Sequence, residues 1–310
     1  MIDFYYSENG RVKPIDHFTS GCWVSVIDPT PGELDYLTDE MGLEEDFVKS
    51  ALDEEETSRV EKEDDQTLVI VDIPLKTKDD DKATVVYETM PMGIITTDKA
   101  LITVCIRENP LINELSSGYL KNTDTQLKTR FLLSILLRAA AQYLWYLKQI
   151  DKSSSDLQIN LSKSMKNSEL IQLLGLQKSL VYFSTSLKAN EITLEKILRG
   201  RVIKMYEEDE ELLEDVIIEV KQAIEMSSIY SNILTGTMEA FGSVTSNNLN
   251  NVMKLLTSIT VLMAIPTMIY SFYGMNVEGL PGTASIWLPV VLSIVATALV
   301  ALLLAKFKMF

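Results

Sequence analysis

The sequence predicts an α+β domain, a small sheet flanked by helices, followed by a long helix and two membrane-crossing helices. Three observations carry that prediction. Acidic charge is confined to one end: residues 1–110 hold 26 Asp and Glu against 10 Lys and Arg, a net of −16, whereas residues 111–310 hold 18 of each. From Gln126 onward apolar residues recur at helical spacing, and no proline occurs between Pro110 and Pro266. Between Leu255 and Ala305 the only charged residue is Glu278, which separates uncharged stretches of 23 and 27 residues, Leu255–Val277 and Gly279–Ala305. About 20 apolar residues are enough for a helix to cross a bilayer. The basic face that a nucleic acid would require is missing, so that class of partner is excluded.

Strand character comes first along the chain. Cys22–Ile27, Thr67–Leu75, Thr84–Thr97 and Leu101–Ile106 are rich in Val, Ile, Thr and Tyr. Pro29-Thr30-Pro31-Gly32 opens a helix, Asp79-Asp80-Asp81-Lys82 forms a hairpin tip, and Glu44–Glu56 sets Phe47, Val48, Ala51 and Leu52 at helical spacing. Gln126–Asp151 then repeats Leu127, Phe131, Ile135, Leu136, Leu144 and Leu147 as an amphipathic helix does, and Ser153–Ser155 marks a kink or loop. Asn167-Ser168-Glu169 caps a second helix to about Leu198, which Gly200 ends. A third starts near Glu207, where Glu208, Asp209, Glu210 and Glu211 suit the positive end of a helix dipole. With no proline before Pro266 it continues into the first span, although Gly236 and Gly242 weaken its continuity. At ~1.5 Å per residue, 207–273 gives a rod of about 100 Å. The expected organisation is an acidic domain over 1–124, a helical hairpin over 125–206, a stalk helix continuing into the first span over 207–273, a loop over 274–285, a second span over 286–306 and a tail over 307–310.

Residue counts remove most chemistry. Cys22 and Cys105 are the only cysteines and His17 the only histidine, so neither a Cys/His zinc site nor a disulfide framework can be assembled. Catalysis through a Ser–His or Cys–His pair would rest on His17, which reads as a surface residue in Ile15-Asp16-His17-Phe18; the chain is not expected to be an enzyme. No apolar segment follows a basic start, so no signal peptide is expected and the first 250 residues are placed in the cytoplasm. Lys254 precedes the first span, Lys306 and Lys308 follow the second, and the intervening Val277–Ser285 has no Lys or Arg. The positive-inside rule then puts both termini in the cytoplasm.

Stepping along the first span by three and four meets Asn250, Met253, Thr257, Thr260, Ala264, Thr267, Ser271 and Gly274, all polar or small except Met253. Leu255, Leu256, Ile259, Val261, Leu262, Ile265, Met268 and Ile269 occupy the other faces. Two uses fit such a stripe: close helix packing through small residues, or the lining of a water-filled path in a symmetric oligomer. The span ends in Tyr273-Gly274-Met275-Asn276, followed by Val277-Glu278, and the second span begins about ten residues later.

A Y-G-M-N sequence at the outer end of the first of two C-terminal spans resembles the CorA family of divalent-cation channels. The likeness extends inward through Ser246-Asn247, Asn250, Val252-Met253-Lys254 and Leu256-Thr257, similar to the family's stalk-to-membrane junction, and more weakly through Thr57–Glu61 and Thr67–Leu75. The resemblance implies a homopentameric funnel in the inner or plasma membrane of a microbe that conducts Mg²⁺ passively. It implies a selectivity filter at Gly274, Met275 and Asn276, an acid at the outer mouth in Glu278, and pore positions at Asn250, Met253, Leu256 and Thr267, which makes the stripe's Thr257, Thr260, Ala264 and Ser271 pore-lining as well. Mg²⁺ gives up its water reluctantly, so a ring of neutral Asn276 carboxamides can hold the hydrated ion's outer shell, while Met253 and Leu256 close the inner end by dewetting. No cofactor is expected beyond Mg²⁺, both cargo and regulatory ion, with Co²⁺ and Ni²⁺ as further substrates.

The resemblance also implies regulatory metal acids at Asp215 and Glu239, with Asp53 and Glu54 nearby. Here the sequence departs from the family: Ser50 stands where an acid is usual, Leu280-Pro281-Gly282-Thr283 lacks the loop's second acid, and only Lys306 and Lys308 remain of a terminal lysine run. The acidic first domain reads as a surface on which bound Mg²⁺ relieves repulsion between subunits and holds the pore shut, or as solvated charge. Two other readings stay open, a related Zn²⁺, Co²⁺ or Ni²⁺ transporter and a two-span membrane sensor that does not conduct.

Overall fold

The computed structural model describes residues 1–79, 84–118, 123–164, 167–200, 202–276 and 286–307. The chain divides into two compact units, Met1–Thr235 and Gly236–Phe310. The first is built on strands β1 (Ile2–Glu8), β2 (Arg11–Ile15), β3 (Trp23–Ile27), β4 (Arg59–Glu63), β5 (Gln66–Asp79), β6 (Thr84–Thr96) and β7 (Leu101–Cys105). They form one sheet in the order β2-β1-β3-β7-β6-β5-β4. Its strands pair antiparallel except β3 and β7, which run parallel with Trp23 opposite Leu101.

One face of the sheet is covered by short helices α1 (Pro31–Asp35) and α2 (Glu45–Ala51), joined by a π-helical turn at Tyr36–Glu40. Thr30 precedes Pro31 as the cap, and its N–H and hydroxyl both donate to the Glu33 carboxylate (2.8 and 3.0 Å). Phe47, Val48 and Ala51 of α2 pack with Val24, Val26, Leu68, Ile70, Ile102 and Val104 in one buried cluster. The helix is shorter than the expected Glu44–Glu56, because the acids from Asp53 onward offer it no apolar face to bury. The opposite face carries Trp23, whose indole N–H donates to Thr103 Oγ1 (2.9 Å) and whose ring meets Phe131 edge-on. Burial on both faces explains why β7 is apolar almost without alternation and buried at every position.

α3 (Pro110–Ser116), α4 (Lys128–Ser164), α5 (Asn167–Gly200) and the first part of α6 (Glu207–Tyr273) complete the unit. Asn109 caps α3 by accepting the Ile112 N–H at 2.9 Å. The expected break at Ser153–Ser155 is absent: α4 runs through it. Ser154 is buried and accepts a hydrogen bond from Gln158 (3.1 Å), so the serine run marks a close packing point. Leu213, Val216, Val220, Ala223, Ser227 and Leu234 give α6 a buried stripe at steps of three, four and seven. Ser227 donates to Leu180 O (3.0 Å), Gln177 to Thr235 Oγ1 (3.0 Å), and Lys221 pairs with Glu195 (3.1 Å), which fixes this part of α6 on α5.

The second unit contains the rest of α6 and α7 (Trp287–Lys306). Both helices are long and apolar enough to cross a membrane, and few positions of their apolar stretches are buried in the single chain. Neither Gly236 nor Gly242 interrupts α6. The hairpin tip expected at Asp79-Asp80-Asp81-Lys82 lies largely outside the described residues, as do Glu278, Lys308 and all of 277–285.

Candidate functional site

The apolar half of α6 has two distinct long faces. Its covered positions are Lys254, Ser258, Leu262, Ile265, Pro266, Ile269 and Tyr273, of which only Ser258 is fully buried. In α7 the fully buried position is Ser293, and Thr297 Oγ1, one turn on, is buried without a hydrogen-bond partner. Two serines are thus the points of deepest burial in this unit, as expected where membrane helices approach through small residues. Every residue of the expected pore lining is exposed instead: Asn250, Met253, Leu256, Thr257, Thr260, Ala264, Thr267 and Ser271. Thr257 and Ser258 are one residue apart, about 100° around the helix. Packing within the chain therefore uses a neighbouring face and leaves the stripe free.

The stripe's hydroxyls are oriented by the helix. Thr260 Oγ1 donates to Leu256 O (2.8 Å) and Thr267 Oγ1 to Met263 O (2.9 Å). Each proton is spent on the i−4 carbonyl, so each oxygen can still accept a hydrogen bond from outside the helix. Pro266 sits in the same stretch, and its ring nitrogen brings no N–H to the carbonyl four residues back.

The helix ends at the filter motif. Gly274 N–H donates to Tyr270 O (3.0 Å), and Met275 N–H donates to Phe272 O (3.4 Å), a tightening from the α to the 3₁₀ pattern. A Cβ on Gly274 would lie 3.2 Å from Tyr270 O, closer than side chains normally come, which favours glycine at this terminus. Gly274, Met275 and Asn276 are all exposed.

Asp215 and Glu239 are exposed on α6. Asp53 accepts the Glu55 N–H (3.0 Å), and Glu54 pairs with Arg107 (3.2 Å). Ser50 accepts a hydrogen bond from Arg59 Nη2 (3.1 Å), and the same guanidinium binds Glu56 and Glu61. A cation thus occupies the neighbourhood where the family carries an acid. Among the described residues no three His, Cys, Asp or Glu converge to hold a metal. Cys22 and Cys105 are free and buried, and burial pushes the Cys105 thiol up to about 12, far from any thiolate role.

The chain matches the CorA-like Mg²⁺ transporter protein family over residues 19–308. It belongs to the CorA family. A cobalt/magnesium transport protein CorA of Methanocaldococcus jannaschii is 30% identical over 280 residues, covering 88% of this chain and 86% of that one. The complete structure of the CorA magnesium transporter from the same organism superimposes with a TM-score of 0.81 at 24% identity, over 99% of this chain and 96% of that one. The cytoplasmic domain of ZntB from Vibrio parahaemolyticus shares the fold at 12% identity, with a TM-score of 0.60 over 79% of this chain and 98% of that domain. CorA proteins are membrane transporters of divalent cations and not enzymes, and the two apolar C-terminal helices fit that setting. Sequence reasoning missed Ser258 and Ser293 as packing residues; the signal for Ser258 was its place one step off the hydroxyl stripe.

Proposed function

We propose that this CorA protein is a homopentameric channel for passive Mg²⁺ uptake, with both termini in the cytoplasm. The observation that carries the reading is the free stripe of α6, ending in Gly274-Met275-Asn276, on a face that α6 does not use for packing within the chain. Repeated around an axis, Asn276 supplies one neutral carboxamide per subunit to the water shell of the ion, with the Gly274 carbonyls as further acceptors. A filter of this kind keeps the ion hydrated and avoids the cost of stripping it. Thr260 and Thr267, whose protons are held inside the helix, present oxygen to the waters that surround a cation. Glu278 raises the cation concentration at the outer mouth, and Met253 and Leu256 form the inner constriction.

Cytoplasmic Mg²⁺ closes this channel by binding between acidic subunits. With Ser50 held by Arg59, one bound ion relies on Asp215 and on Asp53 and Glu54 of an adjacent copy, and a second on Glu239, which lies ~36 Å farther along α6. Co²⁺ is a further substrate, a reading supported by the name of the M. jannaschii relative; Ni²⁺ is expected on the same hydrated-ion logic, and a Zn²⁺ transporter is the rival within the class. A non-conducting two-span sensor is the rival outside it. Growth of a Mg²⁺-requiring strain separates these: the chain restores growth at low Mg²⁺, and Asn276→Ala abolishes the rescue. Rescue unaffected by Asn276→Ala refutes the filter. A mass in detergent corresponding to one or two chains refutes the pore.

A further inference from the structure

A cavity of about 850 Å³ lies in the first unit, and none of the residues assigned to conduction lines it. Small-molecule sites commonly span ~300–1,000 Å³. Four segments wall it: the β4–β5 turn, the β6–β7 turn, the start of α4, and residues 202–209 leading into α6. These walls are tied together. Lys128 Nζ donates to Thr97 O (2.7 Å) and Asp98 O (2.6 Å), joining α4 to the β6–β7 turn. Thr129 Oγ1 donates to Lys204 O (3.1 Å), and the Asp209 carboxylate accepts the Tyr206 N–H (3.1 Å). Ile203, next to the first of these ties in sequence, is buried in the lining.

The lining carries both signs of charge and an apolar patch. Lys62 and Lys204 have no carboxylate partner among the described residues. Lys128, bound to Thr97 O and Asp98 O, and Arg130, held by Glu208 at 2.9 Å, bring the cations of the lining to four. Leu127 and Tyr206 line the same space and are 52% and 72% exposed, which leaves an aliphatic and an aromatic surface open to a ligand. Thr96 Oγ1, also in the lining, is buried with no hydrogen-bond partner. α4 and α6, helices of 37 and 67 residues, both begin here, so the positive ends of two dipoles add to the lysines.

These features narrow the ligand. A bare divalent cation finds no convergent set of three ligands. A purely anionic ligand would face five carboxylates, Asp65, Asp98, Glu207, Glu208 and Asp209, as well as the lysines. A phosphate chain that carries its own divalent cation satisfies both signs, and a flat heteroaromatic base covers Tyr206 and Leu127. We infer that this cavity binds a nucleoside di- or triphosphate with its divalent cation, phosphates against Lys62 and Lys204 and base against Tyr206. Occupancy bridges the sheet turns, α4 and the first turn of α6, and so stabilises the start of that helix.

Calorimetric titration of the full chain in detergent tests this, with Mg²⁺–ATP, Mg²⁺–GTP, Mg²⁺–triphosphate and Mg²⁺ alone as probes. At least one nucleotide binds saturably with one site per chain. Lys62→Gln combined with Lys204→Gln weakens it tenfold or more, and Lys204→Arg retains it. Tyr206→Ala weakens the nucleotide by at least tenfold and leaves Mg²⁺–triphosphate within twofold. All three side chains are exposed, and circular dichroism confirms folding; if the double variant does not fold, Lys204→Gln alone is measured and must weaken binding at least threefold. Absence of saturable binding by both nucleotides overturns the inference. So does an affinity unmoved by the lysine substitutions, or a binding isotherm reproduced by Mg²⁺ alone. No flux is measured, so these outcomes are separate from those that test conduction.

Discussion

Asn190→Ala is expected to unlock the sheet locally, by an amount set by two backbone groups. β4 stops pairing at Arg59 opposite Ile70, so β5 continues past Ile70 with no neighbour on that side. The N–H and C=O of Asp72 are left there. Asn190 of α5 takes the place of the missing strand: its Oδ1 accepts the Asp72 N–H (2.9 Å) and its Nδ2 donates to Asp72 O (2.8 Å). Asn190 is 5% exposed, Ser58 donates to the same Oδ1 (2.8 Å), and Tyr143 adds a bond to Asp72 O (3.1 Å). Alanine strands the Asp72 N–H completely and leaves its carbonyl with Tyr143 alone. At about 1–3 kcal/mol for each buried group deprived of a partner, the loss is about 2–4 kcal/mol. Hydrogen exchange of the full chain in detergent, read by mass spectrometry on overlapping peptides across Asp72, should show that amide exchanging at least about 30-fold faster, since about 1.4 kcal/mol is a factor of ten. Asn190→Asp keeps the acceptor and should retain much of the protection. Unchanged exchange in Asn190→Ala would refute the account of Asn190 as a substitute strand.

Burial raises the Asp72 carboxyl above its ordinary 3.8, and a hydrogen bond with Ser186 opposes that shift. The folded chain therefore holds this proton where the unfolded chain has released it, so the contribution is full below about pH 3.8 and is lost as pH rises through the folded value. Asp72→Asn should flatten that part of the stability profile, measured by denaturant midpoints of the detergent-solubilised protein across pH. A Cβ on Gly93 would collide with Ala51 Cβ of α2, so Gly93→Ala should destabilise the first unit by about 1–3 kcal/mol in the same assay. Ser258→Leu, at a fully buried position, should disturb packing in the second unit and lower the yield of assembled protein in size-exclusion chromatography. Thr257→Leu, one residue away and exposed, should leave assembly intact and reduce Mg²⁺ flux into vesicles.

Three of the seven strands were not read from the sequence, and two of them are the sheet's edges. β2 contains Pro14 opposite Tyr5, and β4 reads Arg-Val-Glu-Lys-Glu. Proline and charge belong on edge strands because they discourage pairing with another chain, and the same residues suppress the apolar pattern by which strands are recognised. β1 fails for a different reason: Ile2 to Tyr6 are all half-buried, so its side chains do not alternate between core and solvent. The interior strands were legible because double-sided burial writes itself as continuous apolar runs. The long helices were legible to within two residues at most of their ends, but the serines at 153–155 were misread because small residues mark both loops and tight helix contacts. Of the candidate site, the sequence shows the stripe and the motif. It does not show which face α6 packs with inside the chain, because Thr257 and Ser258 are chemically alike and differ only in direction.

That difference in direction carries the argument about where the chemistry resides. Within one chain, Asn276 is a single exposed carboxamide, Thr260 and Thr267 are hydroxyls facing outward, and among the described residues no acids converge on a metal. None of these has intrinsic affinity enough to select an ion, since a lone neutral oxygen competes with water on equal terms. On the proposed pentamer the same groups are repeated at one height around an axis, and selection arises from repetition and not from any individual residue. Linked subunits then give a decisive prediction. If one Asn276→Ala subunit is incorporated among wild-type copies in a covalent concatemer, the ring loses one carboxamide and flux should fall in proportion or more steeply. Replacing all of them should abolish selectivity between Mg²⁺ and Na⁺. A concatemer whose selectivity is indifferent to how many subunits carry the substitution would show that Asn276 acts singly, and the ring would have to be abandoned.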